Sequence, residues 1–257
     1  HHPVFSRTLF HRALYLAAKL PKRLYSLNKK KAFDRFTAHN LNLTKRYRSN
    51  DELLADPPQA DVYFAGSDQI WNPLFDNGKD PAFFLAFVPG GKMKASYAAS
   101  FGTDEIPVSD QERLIAWIRG LDAVSVREPS SLAFLRNHGI ERAVSVLDPV
   151  FLHDASFWSQ RAAPGKEVGR IRQPYVFLYD FEDNASTAQF ARELAKRSGG
   201  RVVSYFRGRN AGADAYLPNL DPFRFLRVVM DACCVVTSSF HAVAFSILFK
   251  KEFYISQ

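Results

Sequence analysis

The sequence predicts an α/β protein made of two facing Rossmann-like units with mostly parallel sheets. Three observations carry this. Apolar runs of strand length alternate with segments of helix length, the β-α-β rhythm of a parallel sheet covered by helices. The rhythm breaks once, in a Pro- and Gly-containing stretch at 148–174, and then restarts. Gly, hydroxyl-bearing and charged residues gather where the strands should end, the place where such sheets hold ligands. At 257 residues, with 47% hydrophobic and 14% aromatic side chains, the chain can bury a large core.

The elements follow in order. Leucines at three- and four-residue spacing predict a helix over Phe5–Leu27, kinked or ended by Pro21, and a second short helix over Lys30–Ala38. Strands are expected at Asp61–Ala65, Lys94–Ala99, Ala123–Val126 and Ala143–Leu147. Between them come a helix over Asp110–Gly120, capped by Ser109 and stopped by Gly120, and one over Pro129–Asn137 with Pro in its first turn. After the connection, strands at Tyr175–Asp180, Arg201–Phe206, Cys233–Thr237 and Phe253–Ile255 alternate with helices at Ser186–Ser198, Pro222–Met230 and His241–Phe249. The expected division is a basic helical head at 1–50 that packs on or extends the first domain, an N-terminal domain at 51–150, a linker at 151–174 and a C-terminal domain at 175–257. The chain starts on a helix and stops just after a strand, so the fold is expected to lack residues at both ends.

Charge is concentrated rather than spread. Residues 1–48 hold twelve basic residues and one acid, Asp34, a formal +11, whereas the remaining 209 residues carry −3 within a total of +8. A nucleic-acid binder would spread positive charge over its binding face, so nucleic acid is not an expected partner. The head reads either as a solvated amphipathic helix or as a foothold on an anionic membrane, where each basic residue contributes roughly 1 kcal/mol. No apolar run reaches the ~18 residues of a membrane span, and no secretory signal opens the chain. The two cysteines, Cys233 and Cys234, are neighbours that cannot readily pair. A cytoplasmic location is therefore expected, peripheral at the inner face of the membrane if the head binds there. No His/Cys/Asp cluster has metal-ligand spacing, so no metal is expected.

Four strand-end segments carry chemistry. In Gly66-Ser67-Asp68-Gln69-Ile70-Trp71-Asn72, Gly66 would turn the chain, Ser67, Gln69 and Asn72 would line a cleft, and Trp71 would offer a stacking surface. Asp68 would serve as a base or orient a hydroxyl, unless the segment is only a turn. Tyr97-Ala98-Ala99-Ser100-Phe101-Gly102 is a tight corner whose Tyr97 and Ser100 could line the same cleft. Arg127, in Ser125-Val126-Arg127-Glu128, is placed to grip a carboxylate or phosphate, or else pairs with Glu128. Thr237-Ser238-Ser239-Phe240-His241-Ala242 puts hydroxyls and open N–H groups at a helix start, a setting for an anion, with His241 as proton donor.

Taken together, these segments resemble the polysaccharide pyruvyl transferase family, in its Ser-Phe-His branch. Val146-Leu147-Asp148-Pro149-Val150-Phe151-Leu152 adds a further match, and the resemblance runs from about Asp61 to the C-terminus. It implies a fold similar to the GT-B glycosyltransferases and transfer of pyruvate from phosphoenolpyruvate to a sugar, forming a cyclic ketal. The partners implied are phosphoenolpyruvate as co-substrate, no resident cofactor, and a sugar acceptor of a polysaccharide or its lipid-linked precursor. The resemblance casts His241, Asp68 and Arg127 as the catalytic set. Arg127, Ser238, Ser239 and His241 would hold the donor, with Arg127 and the His241 helix start facing each other from the two domains. Gly66, Ser67, Gln69, Trp71, Asn72, Tyr97, Ser100 and Glu128 would line the acceptor side. Many family members carry Arg-x-His where this chain has Ser239-Phe240-His241. Acceptor specificity is expected in the loops Trp71–Phe87 and Arg207–Asn219. Two other readings stay open, a nucleotide-sugar-dependent glycosyltransferase and a non-catalytic polysaccharide-binding protein.

Overall fold

The computed structural model describes residues 27, 30–162, 171, 174–206, 212–217 and 220–256. The helix expected over Phe5–Leu27 lies outside them except for Leu27. Two units emerge, one formed by residues 44–152 and the other by 1–43 together with 153–257.

In the first unit, a short helix α2 (Asn50–Ala55) precedes β1 (Val62–Ala65), whose Tyr63 and Ala65 are buried while Val62 and Phe64 face out. β2 (Met93–Ser96) pairs parallel to it in the register Val62–Met93 to Ala65–Ser96. β3 (Ser125–Val126) and β4 (Val144–Ser145) also pair in parallel, and bridges at Ala95–Ala123 and Ala99–Val126 join the two pairs into one sheet of order β1-β2-β3-β4. Helices α3 (Val108–Arg119) and α4 (Pro129–Asn137) supply Leu114, Ile115, Ile118 and Leu135 to its core. The α3 start departs from expectation. Pro107 takes the cap position with φ −53°, already near the helical value, so the helix begins at Val108, and Ser109 lies inside it.

The second unit holds a five-stranded parallel sheet: β5 (Tyr175–Tyr179), β6 (Arg201–Ser204), β7 (Ala215–Tyr216), β8 (Cys234–Thr237) and β9 (Glu252–Ile255), in the order β7-β6-β5-β8-β9. Strands β5 and β8 are buried on both faces, which is why they read as unbroken apolar runs. Helix α6 (Ala185–Arg197) packs Ala188, Ala191 and Ala195 on Val176, Leu178 and Val236. On the other face Tyr175 donates from its hydroxyl to the Val228 carbonyl at 2.7 Å, tying β5 to α7 (Pro222–Asp231). Helix α8 (Phe240–Leu248) follows β8. Burial of Tyr175 pushes its hydroxyl pKa far up, and Tyr179 and Tyr205 are pushed up to about 12 for the same reason.

Two boundaries differ from the sequence expectation. The stretch expected to be linker contains α5 (Ala155–Arg161), capped by Asp154, whose Trp158 meets Phe245 of α8 edge-on at 5.3 Å. It therefore belongs to the second unit. Helix α1 (30–40) of the basic head groups with the second unit, whereas residues 44–50 of the head belong to the first. Phe36 of α1 packs on Phe223 of α7 at 4.9 Å, because the apolar stripe of a basic helix finds its partner there.

Candidate functional site

In the second unit the strand order reverses between β5 and β8. Chains leaving the two strands diverge to opposite sides, so a crevice opens beyond their carboxyl ends. Two side-chain bonds set its banks. Thr237 donates to the Tyr179 carbonyl at 2.6 Å, and Ser238 Oγ accepts the Phe181 N–H at 2.9 Å. Asp180, wholly buried, accepts from the N–H groups of Glu182 and Asn184 and from the Ser256 hydroxyl, so one carboxylate organises the whole turn after β5. Sequence reasoning passed Asp180 over; an acid closing a run of five apolar residues was its signal.

Ser239 caps α8. Its Oγ accepts from the Ala242 N–H at 3.4 Å, and its own N–H is held by Thr237 at 2.9 Å. His241 lies in the first turn, half-buried, with its ring edge-on to Phe240. His241 and Ser239 line a cavity of about 480 Å³ together with Tyr179, Phe181, Tyr205 and residues of α1, α5 and α7. The histidine, Ser238 and Ser239 are thus brought together at the crevice.

In the first unit, three expected segments meet beyond the carboxyl ends of β1, β2 and β3. The bridge Asp68–Ala99 lays the first two side by side. Arg127 is at the centre, 8% exposed. Its Nε contacts Glu128 Oε1 at 2.9 Å, its Nη1 contacts Asp148 Oδ2 at 3.1 Å, and Asp68 Oδ1 lies 4.0 Å from Nη1. Ser67 donates to the same Asp148 oxygen at 2.7 Å, Ser100 to Glu128 Oε1 at 2.7 Å and Ser131 to Glu128 Oε2 at 3.2 Å. Three carboxylates thus surround one guanidinium. The fork expected to grip an anion already pairs with two of them. The alternative pairing of Arg127 with Glu128 forms, and it is part of a buried network rather than a surface pair. Asp148, 1% exposed in its side chain, was missing from the expected set. Its mark in the sequence was an acid before Pro149 at the end of a strand.

Asp68 is the exposed member, and it takes φ 70°, a left-handed conformation that non-glycine residues rarely adopt. The tight turn assigned to Gly66 is therefore made by Asp68. A Cβ at Gly66 would meet nothing within 4 Å. Gly102 is the glycine this corner needs. It has φ +63°, and a Cβ there would come within 2.5 Å of the Gln69 side chain.

Trp71 is not a stacking surface. It is 0% exposed, stacked on Phe84 at 5.3 Å, with its indole N–H donated to the Phe83 carbonyl. The following turn carries it inward, where a ring of its size gains most from burial. Asn72 is also buried. It donates to Gln69 Oε1 and accepts from the Leu74 N–H, holding the loop rather than lining a cleft. Tyr97 is half-buried, and its N–H continues the β1 pairing through the Ala65 carbonyl. Of the two loops expected to select the acceptor, residues 207–211 and 218–219 lie outside the described residues.

No group of three or more His, Cys, Asp or Glu side chains suited to a metal occurs among the described residues, and no helix among them is long and apolar enough to cross a membrane. No curated protein matches the chain. A family model described as polysaccharide pyruvyl transferase matches residues 5–255. That match reaches upstream of Asp61, where the motif resemblance began, and takes in most of the basic head. It agrees with the mixed α/β fold, the parallel sheets and the strand-end motifs, and the chain belongs to the polysaccharide pyruvyl transferase family.

Proposed function

We propose that the protein transfers a pyruvyl group from phosphoenolpyruvate to a sugar of a polysaccharide or of its lipid-linked precursor, closing a cyclic ketal across two hydroxyls. The observation that carries this is His241 in the first turn of α8, beside the Ser239 cap at the β5–β8 crevice. There a proton donor sits in the first turn of a helix, whose dipole favours a phosphate or carboxylate.

The reaction balances as follows. His241 protonates the donor methylene, the central carbon becomes electrophilic, and one sugar hydroxyl adds to it. The C–O bond to phosphate breaks, phosphate leaves with the electron pair, and a second hydroxyl closes the ring. Of the two hydroxyl protons, one restores the His241 donor and one leaves with phosphate. Asp68, exposed and held in a strained turn, orients or deprotonates the acceptor. Arg127, already paired with Glu128 and Asp148, acts as a positioning residue that fixes the ground on which Asp68 stands. Phosphoenolpyruvate is a co-substrate and no resident cofactor is needed. The basic head fits a cytoplasmic protein resting on an anionic membrane that carries the acceptor.

The test is release of inorganic phosphate from phosphoenolpyruvate in the presence of nitrophenyl or lipid-linked sugars. Release is expected, and His241→Ala should lower it at least ~100-fold with the fold intact. Absence of release, with thermal stabilisation by a nucleotide sugar instead, would favour a glycosyltransferase and overturn the proposal.

A further inference from the structure

The cavity at His241 is larger and far less polar than phosphoenolpyruvate or a sugar requires. Nine of its fifteen lining residues carry Phe, Tyr or Trp rings, among them Phe36 of α1, Trp158 of α5 and Phe223 of α7. The donor is a small, highly charged anion, and a sugar bears a hydroxyl on most carbons. Each polar group buried against these rings without a partner would oppose binding. Two of the polar lining residues serve helix caps. Asp221 accepts from the Arg224 N–H and pairs with its Nε at 3.3 Å, and Ser239 caps α8. A planar base would also need partners for its ring edges. A hydrocarbon chain needs none.

One wall of the cavity links it to the charge of the head. Phe33 and Phe36, three residues apart on α1, both line it, while the same helix carries Lys30, Lys31 and Arg35. The 29 residues before it add six basic and no acidic side chains. A basic helix with an aromatic stripe suits an anionic lipid surface, and here the stripe opens on a cavity rather than a closed core.

We propose that this cavity binds the hydrocarbon chain of a phosphate-linked lipid, with α1 as the wall on the membrane side. The chain would lie on the ring faces and leave Ser239 and His241 to the donor. This rests on the reading above that the acceptor is lipid-linked, and it adds the site that holds the lipid.

The experiment uses the full chain and a benzophenone-bearing analogue of farnesyl phosphate, with cross-links mapped by mass spectrometry. Labelling is expected on the peptides containing Phe36, Trp158 or Phe223, competed by farnesyl phosphate but not by inorganic phosphate or uridine monophosphate. Phe223→Asp should weaken farnesyl phosphate binding at least tenfold. Phe33→Glu, at a ring already 40% exposed, should do the same with less risk to folding. Labelling elsewhere, protection by the nucleotide, or unchanged affinity in a folded Phe33→Glu protein would overturn the proposal. Phosphate release with a nitrophenyl sugar, measured on the same preparation, reads the transfer reaction separately. Turnover without labelling would remove the lipid site and leave pyruvyl transfer standing, whereas labelling without turnover would do the reverse.

Discussion

Asp148, beyond the end of β4, reaches Nη1 of Arg127, beyond the end of β3, at 3.1 Å, and both side chains are almost fully enclosed. The same Asp148 oxygen accepts from Ser67 beyond β1, so one carboxylate ties three strand ends together. Replacing it with Ala would remove the buried partner of Arg127 Nη1 and of the Ser67 hydroxyl. Asp148→Ala should destabilise the first unit by about 3–5 kcal/mol in a urea titration, and Asp148→Asn by less. Arg127→Lys keeps the charge and loses the fork. If Arg127 only positions its neighbours, this variant lowers kcat with little change in KM for phosphoenolpyruvate. A large rise in that KM would instead make Arg127 a donor contact.

Asp68 separates stability from turnover. Its φ of 70° suits Asn or Gly better than most residues. Asp68→Asn and Asp68→Gly should both stay within about 1 kcal/mol of the parent stability. Phosphate release should nevertheless fall at least ~100-fold in both, since neither supplies a carboxylate. A variant that keeps full turnover would remove Asp68 from the reaction.

Trp71 should behave as core. Trp71→Ala is expected to cost about 3–5 kcal/mol by denaturant unfolding. Trp71→Phe should retain the KM for the sugar acceptor, because the indole presents no face to a ligand. A raised acceptor KM with unchanged stability would contradict this.

The second unit should lose stability at alkaline pH. Tyr179 and Tyr205 are pushed up to about 12 from 10, and Cys234 to about 12 from 9, in each case mainly by burial. These groups ionise in the unfolded chain first, so above pH 9–10 the unfolded state binds fewer protons than the folded one. The stabilisation is fully present below pH 9 and is lost as pH rises toward 12. Thermal melts across pH 8–12 should show that fall, and Tyr205→Phe should make it shallower.

Much of the architecture was legible in the chain because its causes are local. Apolar runs at 62–65, 175–179 and 234–237 announce parallel strands. Pro129 and Pro222 mark helix starts, whereas the Ser239 cap, which begins the last helix one residue earlier than expected, came only from the structure. The strand-end rule also places Asp68, Ser100, Arg127 and Glu128 beyond the ends of neighbouring strands. The α5 helix was harder to see, since Pro and Gly around it suggested a linker, and its apolar partner in α8 lies more than 80 residues away.

What the sequence determined by itself was therefore the two-unit parallel α/β plan, the strand-end position of the candidate residues and the family they indicate. The tertiary structure decided the state of each side chain. It turned Trp71 inward, gave the strained turn to Asp68 instead of Gly66, and surrounded Arg127 with three carboxylates. It also placed the aromatic stripe of α1 on the cavity that His241 shares. Burial and charge pairing depend on residues distant in sequence, and a motif records only its own neighbours.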